Sequence, residues 1–176
     1  MPEENILLEV AEVAVAFAGF ASLVGILGRG TSHADPRVLS LRMRAMLLTS
    51  LLVVAFALVP VILHGYGAAP HLNWTASSML LLLTVLVYGW WLQQAILFLG
   101  KAGLTPTRFQ RRVIIPTLLL TLLVATVLLL ANLIVAIPAV YLTALGLLLF
   151  QSGFAFTLIV FSFLPKLRHD SHESDE

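Results

Sequence analysis

The stretch Val113–Leu164, VIIPTLLLTLLVATVLLLANLIVAIPAVYLTALGLLLFQSGFAFTLIVFSFL, decides how this chain folds. It holds no charged residue. It is far too long for a single crossing of a bilayer, which takes about 20 apolar residues. Ile137-Pro138 interrupts it. A proline has no backbone donor, and it disfavours helix in the residue before it. The run therefore reads as a helical hairpin: Val113–Val135, a tight turn, then Val140–Leu164.

Three more apolar stretches precede it, at Ile6–Leu27, Ala45–Leu63 and Trp74–Leu99. Composition agrees with the bilayer as their solvent. The chain has 176 residues, is 60% hydrophobic and 11% charged, and has a mean hydropathy of +1.00. A soluble domain carries about 25% charged residues, and one of this size cannot enclose so many apolar side chains. The expected fold is all-α: a polytopic membrane bundle of five transmembrane helices over residues 1–164. The polar, mixed-charge tail, 165–176, is expected to be disordered. Met1–Leu8 has no base to form the positive start of a signal peptide, so the first stretch reads as a retained helix.

The ten basic residues test the threading. Arg29, Arg37, Arg42 and Arg44 lie between the first span and the start of the second. Lys101, Arg108, Arg111 and Arg112 follow the third, and Lys166 and Arg168 follow the fifth. The N-terminus, His64–Asn73 and the Pro138 turn carry none. Five spans put every base on one side, which the positive-inside rule makes cytoplasmic. The expectation is N-terminus outside and C-terminus inside; four spans would break the alternation. Arg42, Arg44, Arg111 and Arg112 are then placed to meet anionic headgroups of the inner leaflet. Trp74 marks the outer interface, and Trp90 and Trp91 the inner one.

Helix faces suggest what packs. Ala11, Ala14, Ala18, Ala21 and Gly25 form one narrow stripe at steps of three and four, a surface for close helix approach. Glu9 and Glu12 lie on the other side of the same helix, with Ala16, Gly19 and Leu23. Carboxylates in an apolar zone face protein or water, or sit in the first turns of a helix where the dipole favours them. With His64 and Asn132 they make a candidate outer vestibule, Asn132 being a candidate partner for the glutamates. Tyr88 and Gln151 form a candidate polar pair near the midplane. Thr121, Ala125, Asn132 and Ala136 share one face of the fourth span. Ala144, Gln151, Ala155 and Ser162 share one of the fifth, and Ser77, Thr84, Tyr88 and Ala95 one of the third.

The stretches AEVAVAFAGFASLVGILGR (Ala11–Arg29) and RMRAMLLTSLLVVAFALVP (Arg42–Pro60) resemble the start of small uncharacterised bacterial inner-membrane proteins. The resemblance covers the first two spans, implies a place in a bacterial inner (plasma) membrane, and brings no activity with it.

No cysteine is present, which excludes disulfides, thiolate metal sites and thiol catalysis. No Walker A, HExxH, GxSxG or GxGxxG pattern occurs, so no catalytic residue, cofactor or metal is expected. The bases are explained by topology, and nucleic acid is not an expected partner. Two functions follow. The first is a non-enzymatic protein that acts by association, as a homo-oligomer or an accessory subunit of a membrane complex. The second is a small oligomeric cation or proton channel with Glu9 and Glu12 at its outer mouth.

Overall fold

The structure is a computed structural model that describes residues 2–27, 36–101 and 110–161. Five α-helices follow one another: α1 (Pro2–Leu27), α2 (Pro36–Gly65), α3 (Pro70–Lys101), α4 (Ile115–Val135) and α5 (Pro138–Phe161). A π-helical turn, Gln110–Ile114, leads into α4. No strand occurs among the described residues. Four segments are long and apolar enough to cross a membrane: Met43–Gly65, Pro70–Phe98, Arg112–Val135 and Pro138–Leu158. The helix α1, which carries Glu3, Glu4, Glu9 and Glu12, is not among the four. The expected disordered tail and the last residues of the expected fifth span, 162–164, lie outside the described residues.

The first three helices overrun the apolar stretches that announce them, because backbone signals as well as hydropathy set their ends. Pro2, Pro36, Pro70 and Pro138 each open a helix. Proline suits that first position, since its missing donor would have no helical partner there anyway. The end of α2 is a glycine-closed cap. Gly67 takes φ 79°, Gly67 N–H donates to His64 O (2.9 Å), and Ala68 N–H donates to Leu63 O (3.1 Å), the paired bonds of a Schellman motif. The turn of the deciding hairpin is shorter than expected. It consists of Ala136 and Ile137 alone, and Pro138 starts α5 instead of sitting in the loop. Ala136 closes α4 in the left-handed conformation (φ 52°, ψ 44°) and donates its N–H to Asn132 O.

The helices run up and down. Glu4 near the start of α1 meets His64 at the end of α2. Ser78 of α3 meets Asn132 of α4, and Ser50 of α2 meets Ser152 of α5. The centre of the packing is α2, which touches α1, α3 and α5; α4 packs on α3 and α5. The first helix lies at the edge, against α2 and α5, and makes no contact with α3 or α4. One end of the bundle carries Arg42, Arg44, Lys101, Arg111 and Arg112 along the backbone. The other end, with its two short turns, carries no lysine or arginine among the described residues.

The packing follows the helical period. On α4, Ala125, Leu129 and Asn132 are buried; on α5, Tyr141, Ala144, Leu145, Leu148, Gln151 and Ser152 are. The expected small-residue stripe of α1 does pack: Ala11 and Ala14 are buried with Leu7. Ala18 is half-buried. The side chains of Ala21 and Gly25 lie outside the described residues. Gly89 on α3 lets α4 come close, since a Cβ there would stand 2.7 Å from Leu122 Cδ2.

Pro60 stands inside α2. It has no N–H to give the carbonyl four residues back, which is that of Phe56. The Tyr141 hydroxyl of α5 supplies the missing donor, reaching Phe56 O at 2.6 Å. Tyr141 is fully buried and leans on Trp74, ring centroids 5.8 Å apart. Beside it, Asn73 Nδ2 of α3 donates to Pro60 O at 2.9 Å. The proline in α2 is thereby tied to both α3 and α5.

The Tyr141→Phe variant is expected to lose roughly 0.6–2 kcal/mol, the range of a hydrogen bond between helices in an apolar medium. Pro60→Ala restores the helical donor. In that background Tyr141→Phe is expected to cost measurably less, in a double-mutant cycle on thermal unfolding in mild detergent. Equal losses in both backgrounds would refute the link.

Candidate functional site

The bundle interior holds two polar layers. The first lies at the base-free end. Asn132 is fully buried; its Nδ2 donates to Ser78 Oγ (2.8 Å), and its Oδ1 accepts from Ile137 N–H (2.8 Å). One amide thus ties α4 to α3 and caps the α4–α5 turn. Ser77 Oγ donates to Asn73 Oδ1 at 3.4 Å, next to the Pro60 and Tyr141 ties.

The second layer lies ten residues along α2 from Pro60, about 15 Å at the helical rise. Ser50 Oγ of α2 and Ser152 Oγ of α5 are 2.6 Å apart, and Ser152 Oγ also donates to Met46 O at 3.4 Å. Thr49 donates to Ala45 O. The Tyr88 hydroxyl of α3 adjoins that of Thr49, and its ring stacks on Trp91, centroids 6.0 Å apart. Gln151 is 3% exposed, and its Oε1 has no hydrogen-bond partner. Between the layers the core is apolar throughout, with Val53, Leu81, Val85, Leu129, Leu145 and Leu148 in mutual contact.

The expected outer vestibule is not assembled within the chain. Glu9 and Glu12 are exposed on the outer flank of α1, along with Ala16, Gly19 and Leu23. Asn132 is not their partner: α1 makes no contact with α4, and the Asn132 amide is engaged by Ser78 and Ile137. His64 is half-exposed and meets Glu4 instead, Nε2 to Oε1 3.8 Å, a pair the sequence reading did not select. No group of three or more His, Asp or Glu able to hold a metal occurs among the described residues.

The expected midplane pair is found in one layer but not as a pair. No hydrogen bond joins Tyr88 to Gln151; Tyr88 turns to Thr49, and Gln151 keeps an unpartnered oxygen. Trp74 is not an interface anchor. It is 5% exposed, because the Tyr141 ring draws it into the core. Trp90 is 67% exposed, as a belt residue would be. Thr84 shares no interior face, since its hydroxyl returns to Leu80 O of its own helix. Arg44 and Arg112 are exposed at one end. The side chains of Arg42 and Arg111 lie outside the described residues.

Sequence reasoning missed Thr49, Ser50, Ser78, Ser152 and Tyr141. Tyr141 had a signal: a mid-helix proline four residues beyond Phe56 demands a donor from elsewhere. The serines had only their helical phase, which apolar neighbours share.

No family model matches this chain, and neither a curated protein nor a solved structure matches it.

Asn132→Ala strands both Ser78 and the Ile137 N–H, and is expected to cost roughly 1–3 kcal/mol. Ser78→Ala removes one tie and leaves the cap, so its loss of thermal stability is expected to be the smaller. The reverse order would contradict the double role of Asn132.

Proposed function

We propose that this chain is a five-span protein of a bacterial inner (plasma) membrane that acts by association, as a homo-oligomer or an accessory subunit of a membrane complex. Its N-terminus lies outside and its C-terminus in the cytoplasm. The observation that carries this reading is the position of α1. The helix is held on one side only, by α2 and α5, and its other side presents Glu9, Glu12, Ala16, Gly19 and Leu23 to whatever surrounds the bundle. Carboxylates within a membrane segment ordinarily face protein or water, so a neighbouring chain is the natural cover. The orientation is supported by the gathering of bases at one end of the bundle. The buried amides and hydroxyls of the first layer serve as ties between helices, consistent with a structural role.

The second reading, a cation or proton channel, is favoured by the exposure of the same two glutamates. The apolar layer between the polar ones closes the axis of a single bundle, so such a pore would run between copies with Glu9 and Glu12 along it.

Extracted in mild detergent, the protein is expected to migrate as a defined assembly larger than its 19.2 kDa protomer, either of one chain or with a stoichiometric partner. A solitary monomer by light scattering would reject association. The channel reading requires cation flux in liposomes that falls in Glu9→Gln and Glu12→Gln. The absence of native cysteine makes threading easy to test. In intact cells, an impermeant maleimide is expected to label Tyr66→Cys, and to label Arg168→Cys only after permeabilisation. The opposite pattern would reverse the orientation.

A further inference from the structure

One end of the bundle carries positive charge that nothing in the described helices balances. Arg37, Arg42, Arg44, Lys101, Arg111 and Arg112 stand along its backbone, with Arg44 and Arg112 exposed. No aspartate or glutamate lies among the described residues of that end. Apart from Asp35, the acidic residues that the sequence sends there all follow α5. They are Asp170, Glu173, Asp175 and Glu176, and no lysine or arginine interrupts them. The route of α5 brings this segment to the bases. Ser152 meets Ser50, and Phe156, further along α5, packs beside Met46, further back along α2. The two helices run antiparallel, so Phe161 at the end of α5 comes level with Leu41, between Arg37 and Arg42.

An exposed ion pair contributes little by itself, and a separate acidic peptide would bind such a surface weakly. A tether changes this. A chain of the length that separates Phe161 from Asp170–Glu176 spans roughly 15–23 Å. That matches the width of a bundle whose helix axes lie about 8–10 Å apart. A tether that matches its span holds a ligand at an effective concentration of about millimolar. The four acids also outnumber Lys166 and Arg168, the bases of their own segment, so pairing within the segment leaves negative charge over. Anionic headgroups suit the same bases, but not all of those bases lie at the edge of the apolar spans. Arg37 stands before Met43, where the span of α2 begins, and is about 9 Å further from the hydrocarbon at the helical rise. A segment in water reaches it more readily than lipid does. We propose that Asp170–Glu176 docks on this end of the bundle as an internal counter-charge, in the place that anionic headgroups would otherwise take. The contact depends neither on how the protein associates nor on which side of a membrane this end faces.

The test uses the full chain in phosphatidylcholine nanodiscs, which offer no anionic headgroup. Nitroxide labels are attached at Ser40→Cys, exposed on α2, and at Ser174→Cys; no native cysteine interferes. Pulsed electron resonance then reads the distribution of distances between them. At low salt a narrow distribution is expected. Raising the ionic strength from about 0.01 M to about 1 M shortens the screening length from roughly 30 Å to roughly 3 Å. The distribution is then expected to broaden to that of a free tether, whose own span is roughly 20 Å. Neutralising the acids (Asp170→Asn, Glu173→Gln, Asp175→Asn and Glu176→Gln together) is expected to give the broad distribution already at low salt. These residues lie beyond α5, outside the packed core. A broad distribution in the parent chain at low salt, or a narrow one that neither salt nor the four substitutions alters, would overturn the proposal. The first of these results would leave the bases to lipid.

Discussion

The fold turns on one missing hydrogen. Pro60 interrupts the ladder of α2 in an apolar interior, and the Phe56 carbonyl has to find a donor outside its own helix. In such an interior an unpaired carbonyl costs more than in a helix that faces water. The donor that reaches it is the Tyr141 hydroxyl of α5, so the local defect becomes a tertiary tie. Tyr141 brings α5 to α2, Trp74 packs on Tyr141, and Asn73 binds the carbonyl of Pro60 itself. Without the proline the Phe56 carbonyl would pair within α2 and would need no donor from α5.

Several of the remaining buried polar side chains follow the same logic. At the base-free end Asn132 joins α4 to α3 and caps the α4–α5 turn, while the buried Thr75 hydroxyl has no partner. At the Ser50–Ser152 level Gln151 Oε1 is likewise without a partner. Apolar residues separate the layers, so neither supplies the other.

The outer surface divides similarly. Most exposed large side chains are aliphatic, in keeping with lipid. The flank of α1 is the exception, with carboxylates beside small residues on a helix that packs on α2 and α5 alone.

Much of the architecture was legible in the chain alone. Uninterrupted apolar runs and the break at Ile137-Pro138 announce helices and a hairpin, because hydropathy and the loss of a donor act locally. The spacing of Ala11 and Ala14, and of Ala125 and Asn132, shows which faces turn inward, because helical phase is a property of neighbours in sequence. The candidate site was not legible in the same way. Glu9, Glu12, His64 and Asn132 share a level, but only packing shows that α1 and α4 never meet and that Glu4 takes the histidine. Tyr88 and Gln151 share a layer, yet which hydroxyl each one meets depends on rotations and separations of three helices. Sequence determines depth and face, since both follow from the rise and turn of a single helix. Partnership between side chains is set by which helices become neighbours, and that was decided by long-range contacts such as Tyr141 with Phe56.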